Sequence, residues 1–245
     1  MEDYGPATYG DGLAEVYDSW YSELEREAVV ERIAALAGSG PVLELGIGTG
    51  RIALPLSERG VEVHGIDGSA AMVEKLRAKP GGDTIPVTMG DFADVGVEGK
   101  YTVIYIPFNT IFALLTQEDQ LRCFRNAASR LTEDGIFVFD AFVPDLARFD
   151  RHQRVGVEAH DPDAVRLEAS MHDPVKQNIT SRHLVLSEKG IKFYPLKIRY
   201  AWPSELDLMA RLAGLRLRHR WGGWRKEPFS AKSTSHVSVY GRERA

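Results

Sequence analysis

VLELGIGTGR, Val42–Arg51, is the stretch whose reading decides the fold. VLEL is a short, mainly apolar run closed by a glycine, the composition of a buried strand. Gly46, Gly48 and Gly50 follow at alternate positions. Lacking Cβ atoms, they let the backbone turn tightly and let a ligand approach its peptide groups. The residues from about Gly50 to Arg59 read as a helix that Gly60 ends. Strand, glycine turn and helix in that order offer free N–H groups and a positive dipole end to whatever lies over the turn.

The same alternation continues downstream. VEVHGID is a second strand and Ser69 to Lys79 a second helix. TIPVTMGD is a third strand and YTVIYIPFN a fourth. Gln117 to Leu131 is a long amphipathic helix, and GIFVFDAF a fifth strand. Strands alternating with helices build βαβ units and a parallel sheet. Upstream, Leu13, Val16, Tyr17, Trp20, Tyr21 and Leu24 recur at helical spacing and predict helix over 13–37, continuous or kinked near Glu25, with Gly38-Ser39-Gly40-Pro41 as its stop. After Pro144 the pieces RVGVEAH, VRLEASMHD, QNITSRHLVLSEKG and IKFYPLKIRY are strand-like, with turns at Asp161-Pro162-Asp163, Asp173-Pro174 and Glu188-Lys189-Gly190. They predict an antiparallel insertion over 152–200. PSELDLMARLAG is a helix with Ser204 as N-cap, Asp207 at the capping-box position and Gly214 as C-cap. LRLRHRWGGW and SHVSVYGRER close the chain as a hairpin pair.

The chain has 245 residues, 44% apolar and 27% charged, an ordinary globular balance. Its formal net charge of −5 argues against a nucleic-acid partner. Cys123 is the single cysteine, expected to be a buried helix residue, and no cysteine/histidine cluster suggests a metal. The acidic N-terminus has no apolar h-region, so no signal peptide is expected. No run of 18 apolar residues exists, so no membrane span is expected and the cytoplasm is the expected compartment.

Three acids sit at three successive strand ends. Glu44 lies two residues ahead of the first glycine. The glycines are spaced GxGxG, whereas the pyrophosphate of a dinucleotide goes with GxGxxG. Adenosylmethionine carries no phosphate but has a cationic α-amine and a sulfonium, which an acid at a strand end suits. Asp67 ends the second strand about 20 residues on, where a carboxylate accepts ribose hydroxyls. Asp91 in GDF ends the third, placed for an adenine amino group with Phe92 against the ring. Each alone also fits a plain turn or a helix cap. In order, they fit the rule that open parallel sheets bind ligands at the carboxyl ends of their strands.

These residues resemble the class I S-adenosylmethionine-dependent methyltransferases. LELGIGTG looks like their first motif, GID their ribose acid, GDF their adenine motif and IPFN the loop after their fourth strand. The resemblance covers Met1 to Phe142, and the last two strands are similar to that family's antiparallel strands six and seven. It implies an α/β fold: a Rossmann-like, mostly parallel seven-stranded sheet with helices on both faces and an antiparallel β insertion. Residues 1–40 are then an N-terminal helical lid, 41–151 the cofactor-binding core, 152–200 a substrate cap, and 201–245 the last helix and strands. The resemblance places Glu44, Gly46, Ile47, Gly48, Gly50, Arg51, Asp67, Gly68, Met72, Gly90, Asp91, Phe92, Pro107 and Asn109 around S-adenosyl-L-methionine. The chain looks closest to the small-molecule branch with the amino-sugar N-methyltransferases and the glycine/sarcosine type. YGDGLAEVYDSWY is similar to that branch's cap over the cofactor, which brings Tyr9 and Tyr17 to the sulfonium and the methionine carboxylate. In that branch the insertion roofs the substrate cavity and often forms a dimer contact, so a homodimer is expected. The amino-sugar enzymes carry a histidine shortly after strand four. Ala113 stands there in this chain, and that base is not carried over.

Methyl transfer is an in-line displacement whose nucleophile sits ~3 Å from the methyl, opposite sulfur. An amine needs only to be neutral, whereas a hydroxyl needs a general base. No catalytic residue stands out. His152, His160, His172 and His183 all fall in the insertion, where a surface or structural role is the commoner one. Arg148, Arg151, Arg154, Arg166, Arg182 and Arg199 are either solvated charge or a means of recognising a carboxylate or phosphate. Trp202, Trp221 and Trp224 fit core packing or an aromatic pocket. The candidate substrate residues are Phe112, Arg166, Arg182, Tyr194, Arg199 and Trp224, with Tyr194 and Arg199 on opposite faces of one strand. The expectation is an S-adenosylmethionine-dependent enzyme that methylates O or N of a small molecule. The alternatives are an NAD-linked oxidoreductase and a non-catalytic adenosylmethionine-binding protein.

Overall fold

β1 (Val42–Leu45) is buried at all four positions, and a strand buried on both faces needs neighbours on both sides and cover above and below. The computed structural model, which describes residues 4–21 and 25–243, supplies both. β1 pairs in parallel with β2 (Val63–Asp67) and with β4 (Tyr101–Ile106). β3 (Val87–Met89) extends the sheet beyond β2, and β5 (Leu131–Phe142) beyond β4. β11 (Ser235–Arg242) runs antiparallel to β5, and β10 (Leu215–Trp221) antiparallel to β11. The order is β10-β11-β5-β4-β1-β2-β3. It reverses direction between β1 and β4, which opens a crevice at the carboxyl ends of those strands.

Side chains alternate between two apolar layers. Leu43, Leu45, Ile104, Ile106, Phe137 and Phe139 face α6 (Gln117–Arg130) and α7 (Pro203–Leu212), where Phe124, Leu206 and Met209 meet them. Buried Cys123 sits in this layer. Val42, Val103, Tyr105 and Val138 face α3 (Arg26–Ala37) and α4 (Ala53–Glu58). α5 (Ala70–Arg77) is capped by Ser69, whose hydroxyl accepts from Met72 N.

The helix expected over 13–37 is three helices: α1 (Thr8–Leu13), α2 (Tyr17–Tyr21) and α3. The apolar residues on that stretch answer to two different partners. Leu13 and Ala14 pack with Met72 and Tyr194, while Val29, Val30 and Ile33 pack on the sheet. One straight helix cannot reach both, so the chain turns at Ala14–Val16 and again before α3, where Glu25 takes a left-handed φ of 49°. Leu24 lies outside the described residues. Ser204 is not the N-cap of α7. Trp202 holds that place with Pro203 at the first turn, where a missing N–H costs nothing. Asp207 instead accepts two bonds from Arg220 and one from the Tyr240 hydroxyl.

β6 (Gln153–Asp161), β7 (Ala164–Asp173), β8 (Asn178–Ser187) and β9 (Gly190–Arg199) form a separate four-stranded antiparallel sheet, the cap. Arg199 is spent in tying it to the core. Its guanidinium donates to Gln120 Oε1 (2.6 Å), Gln177 Oε1 (3.0 Å) and Glu205 Oε1 (2.7 Å), and Gln120 Nε2 donates back to the Arg199 carbonyl (2.9 Å). This corrects its reading as a substrate residue. A near-buried charge pair held by three donated hydrogen bonds is costly to break from one side. Arg199→Met is therefore expected to lower unfolding free energy by about 2–3 kcal/mol, measured as a lower urea midpoint at constant slope. An unchanged midpoint would mean that the tie carries no stability.

Candidate active site

The glycine turn sits at the crevice. Gly48 has φ +56°, and a Cβ there would enter open space, its nearest neighbour being the Gly46 carbonyl oxygen at 4.0 Å. At Gly50 a Cβ would stand 2.3 Å from Leu76 Cδ1. The first glycine leaves room above the loop; the second seats the loop on α5. Gly48 N donates to Asp67 Oδ2 (2.7 Å) and Ser69 N to Asp67 Oδ1 (2.8 Å). The N-terminal helices dock onto this assembly. Ser69 Oγ donates to Asp11 (2.6 Å), Thr49 Oγ1 to Asp18 (2.6 Å), and Lys79 pairs with Asp18 at 2.6 Å. Pro6 lies over Gly68, where a Cβ would be 3.2 Å from the proline ring.

Glu44 is buried under the loop. The Tyr105 hydroxyl donates to its Oε2 at 2.8 Å. Burial pushes its carboxyl up to about 8, against the pull of Tyr105 and Arg51. The Arg51 guanidinium carbon lies over the Phe108 ring, 3.3 Å from its centroid, and Arg51 donates to the Tyr21 carbonyl at 3.0 Å. Burial raises the Tyr17 hydroxyl to about 12, with Arg51 pulling the other way.

Two cavities open beside these groups. One, of about 250 Å³, is lined by Tyr4, Pro6, Tyr9, Asp91, Phe92 and Ala113, among others. The second, of about 270 Å³, is lined by Tyr9, Tyr17, Tyr21, Phe108, Asn109, Thr110, Ala113, Phe142, Leu196 and Ile198. Tyr9 and Ala113 border both. Among the described residues, no histidine lines either cavity. His183 instead pairs with Glu158, and His172 with the Tyr200 hydroxyl.

Most residues named for the cofactor therefore converge on one crevice, but they play unequal parts. Ile47 turns its side chain into the core against Gly65. Met72 packs beneath the N-terminal helices. Both have only backbone to offer a ligand. Gly90 donates its N–H to the Asp67 carbonyl (2.9 Å), and Pro107 accepts from Thr110 Oγ1. Asp91 accepts from Ala93 N at 2.9 Å.

The substrate candidates fare differently. Phe112 is fully buried in the core, edge-on to Phe142, so Ala113 and not Phe112 borders the cavities. Trp224 is buried and lines neither; its indole N–H reaches Asp140. Arg182 is exposed on the outer face of the cap, because its neighbours Ser181 and His183 take the inner one. Arg166 and Tyr194 do face inward, both against Trp20. The sequence reading missed Tyr21, Phe108, Phe142, Leu196 and Ile198 as cavity walls, and Asp140 altogether. An acid inside the apolar run VFDAF was the available signal for the last.

The donor set fits adenosylmethionine: an open glycine cradle, a buried acid at β1, a second holding the loop at β2, and a third beside a cavity after β3. A methyltransferase-domain profile matches residues 42–135. The CcbJ methyltransferase from Streptomyces caelestis is 42% identical, superposes with a TM-score of 0.93, and the match covers 98% of this chain and 100% of that one. The cypemycin N-terminal methyltransferase from a Streptomyces species is 28% identical over 97% of this chain and 99% of that protein. The fold alone is shared with the sugar N-methyltransferase KedS8 from Streptoalloteichus, 20% identical with a TM-score of 0.67 over 99% of both chains. The chain belongs to the S-adenosylmethionine-dependent methyltransferases, and its activity is methyl transfer. Nothing supports the NAD-linked or the non-catalytic alternative.

Glu44 provides a test of the cradle. A carboxyl poised near 8 is mostly protonated at pH 7, and an approaching ammonium favours its ionised form. Cofactor binding at pH 7 is expected to release most of one proton, read by calorimetry in buffers of different ionisation enthalpy. Glu44→Gln should release none and bind roughly ten- to a hundredfold more weakly. Because the folded pKa is raised, the contribution of Glu44 to apoprotein stability is full below its unfolded value of 4.5 and lost as pH rises through about 8. The stability of wild type relative to Glu44→Gln should fall across that window. Equal proton release by the two proteins would remove Glu44 from the cofactor site.

Proposed function

We propose that this chain methylates a neutral nitrogen of its small-molecule acceptor, held in the cavity between Tyr9, Tyr21, Phe142 and Ile198. The observation that carries this reading is the make-up of that cavity. Among the described residues its titratable lining groups are phenols, and burial holds each above its ordinary range. Among the described residues, no lining group is poised to take a proton from a hydroxyl near neutral pH. An amine needs no base before it attacks. The name of the cypemycin N-terminal methyltransferase points the same way.

Glu44, Gly48, Asp67 and Asp91 would hold adenosylmethionine, with Tyr9 and Tyr17 over its methionine end. When bound, it supplies an electrophilic methyl group on a cationic sulfur. The chain's part is to orient and to exclude water. Phe108, braced by Arg51, and Phe142 wall the cavity; the tyrosine hydroxyls are the available acceptors for an amine N–H. The nitrogen lone pair would take the methyl as the carbon–sulfur bond breaks, the cofactor would leave as a neutral thioether, and the ammonium product would lose its proton to solvent.

We read residues 1–40 as the lid, 41–151 as the core, 152–200 as the cap and 201–245 as the closing elements, working in the cytoplasm. The cap's outer face bears exposed Val155, Val157, Met171, Ile191 and Phe193. An apolar sheet face of this kind favours a twofold dimer. Light scattering should give twice the chain mass, and Val157→Glu with Phe193→Glu should halve it. A monomeric wild type removes the dimer. For the chemistry, labelled adenosylmethionine is offered with a panel of primary and secondary amines and the matching alcohols and phenols. Label should enter amines, with kcat/KM rising as the amine loses its proton. Transfer confined to the hydroxyl series would overturn the nitrogen assignment.

A further inference from the structure

We propose that Asp140 is a positioning residue for acceptor binding, acting by clamping the strained loop Phe108-Asn109 that walls the cavity. The inference rests on the assignment of that cavity to the acceptor. Phe108 and Asn109 are consecutive non-glycine residues in left-handed backbone, with φ of 67° and 57°. Such residues persist only where their surroundings over-determine them. Asp140, at the carboxyl end of β5, supplies the determination. Its Oδ1 accepts from Phe108 N (2.8 Å) and its Oδ2 from Asn109 N (3.3 Å). Both strained amides thus end on one carboxylate. Trp224 Nε1 donates to Oδ1 from behind at 3.2 Å. The Asn109 side chain completes the brace, its Oδ1 accepting from Phe142 N at 2.6 Å. Arg51 holds the Phe108 ring from the other side.

The side chains so fixed, Phe108, Asn109 and Phe142, are cavity walls. Asp140 itself is not among the lining residues, so its effect on the acceptor passes through them. A carboxylate suits the task because it can take three N–H groups on two oxygens while donating to none. The charged groups facing it are Arg51 from the glycine loop, with Arg26 near Arg51, and Glu25 at the start of α3. Burial is the largest influence on the carboxyl and moves it up to about 6, against the pull of the Phe108 and Asn109 amides and the Trp224 indole. As pH falls through that value, one oxygen becomes a hydroxyl and loses acceptor capacity, and the clamp loosens. Below pH 6 the loop should therefore open while the rest of the sheet stays closed.

Amide hydrogen exchange on the whole protein, with S-adenosylhomocysteine as the cofactor probe, reads the clamp without an acceptor. In wild type the protection factors of Phe108 and Asn109 should drop as pH falls through about 6, while those of β1 and β4 hold. In Asp140→Asn they should be low at every pH, by about tenfold or more at pH 7.5, since a charged acceptor for these amides has been lost. With the amine methylated best in the panel above, Asp140→Asn should raise acceptor KM about tenfold and change S-adenosylhomocysteine affinity less than threefold. Unchanged loop protection, protection lost equally across the sheet, or equal losses of acceptor and cofactor binding would each overturn the proposal. If Asp140→Asn does not fold, Trp224→Phe decides. Removing one donor from the carboxylate should move the protection midpoint upward, and an unmoved midpoint counts against the clamp. Ile198→Ala on the opposite wall separates the two readings. If it leaves acceptor KM untouched, the cavity assignment fails, and the exchange data alone judge the clamp.

Discussion

The carboxylate of Asp67 accepts backbone N–H groups from Gly48 and from Ser69, and three segments meet on those two bonds. The glycine loop is pulled against the end of β2, and the first turn of α5 is drawn onto the same carboxylate. Through Ser69 the N-terminal helices join, because its hydroxyl donates to Asp11. The glycine loop, α5 and the N-terminal helices therefore share one anchor. Burial pushes the Asp67 carboxyl up, while the amides of Ser69, Gly48 and Gly68 pull it down. A buried charge is tolerated when it is hydrogen-bonded in this way.

Burial dominates the rest of the crevice as well. Glu44, Tyr9, Tyr17, Tyr105 and Asp140 are all moved by it in the direction of their neutral forms. The protein removes water first and lets a few fixed donors and acceptors define the site. That arrangement suits a reaction whose leaving group is already activated. Positioning and dryness are then the main contributions left for the protein to make.

The cap shows how one sheet serves two purposes with its two faces. Inward, Arg154 and the Ser181 hydroxyl hold Glu168, and Arg166 and His183 hold Glu158, so the polar groups neutralise one another. Arg166 lies over Trp20 and thereby meets α2. Outward, valines, Met171 and Phe193 remain exposed. Of the arginines that read as either solvated charge or anion recognition, Arg148, Arg154, Arg166 and Arg199 are instead held in internal pairs with Glu168, Glu158 and Glu205.

The sequence by itself determined the sheet and the place of three acids at its carboxyl edge. A strand, a glycine turn and a helix are local patterns. Acids at the ends of consecutive strands are ordered by the same short period that orders the strands. Glu44, Asp67 and Asp91 could therefore be placed at strand ends before any contact was known, as could the antiparallel character of 152–200. The boundaries of the N-terminal helices could not. They depend on Leu13 and Ala14 packing against Met72 and Tyr194, residues distant in the chain. The roles of Arg199, Trp224 and Asp140 were equally hidden. Each is set by partners on other elements: Gln120 and Glu205 for the first, Asp140 for the second, the Phe108 and Asn109 amides for the third. Periodicity tells which way a side chain points along its own strand or helix. Only the folded chain decides what stands opposite, because pairing across elements is fixed by how the layers pack.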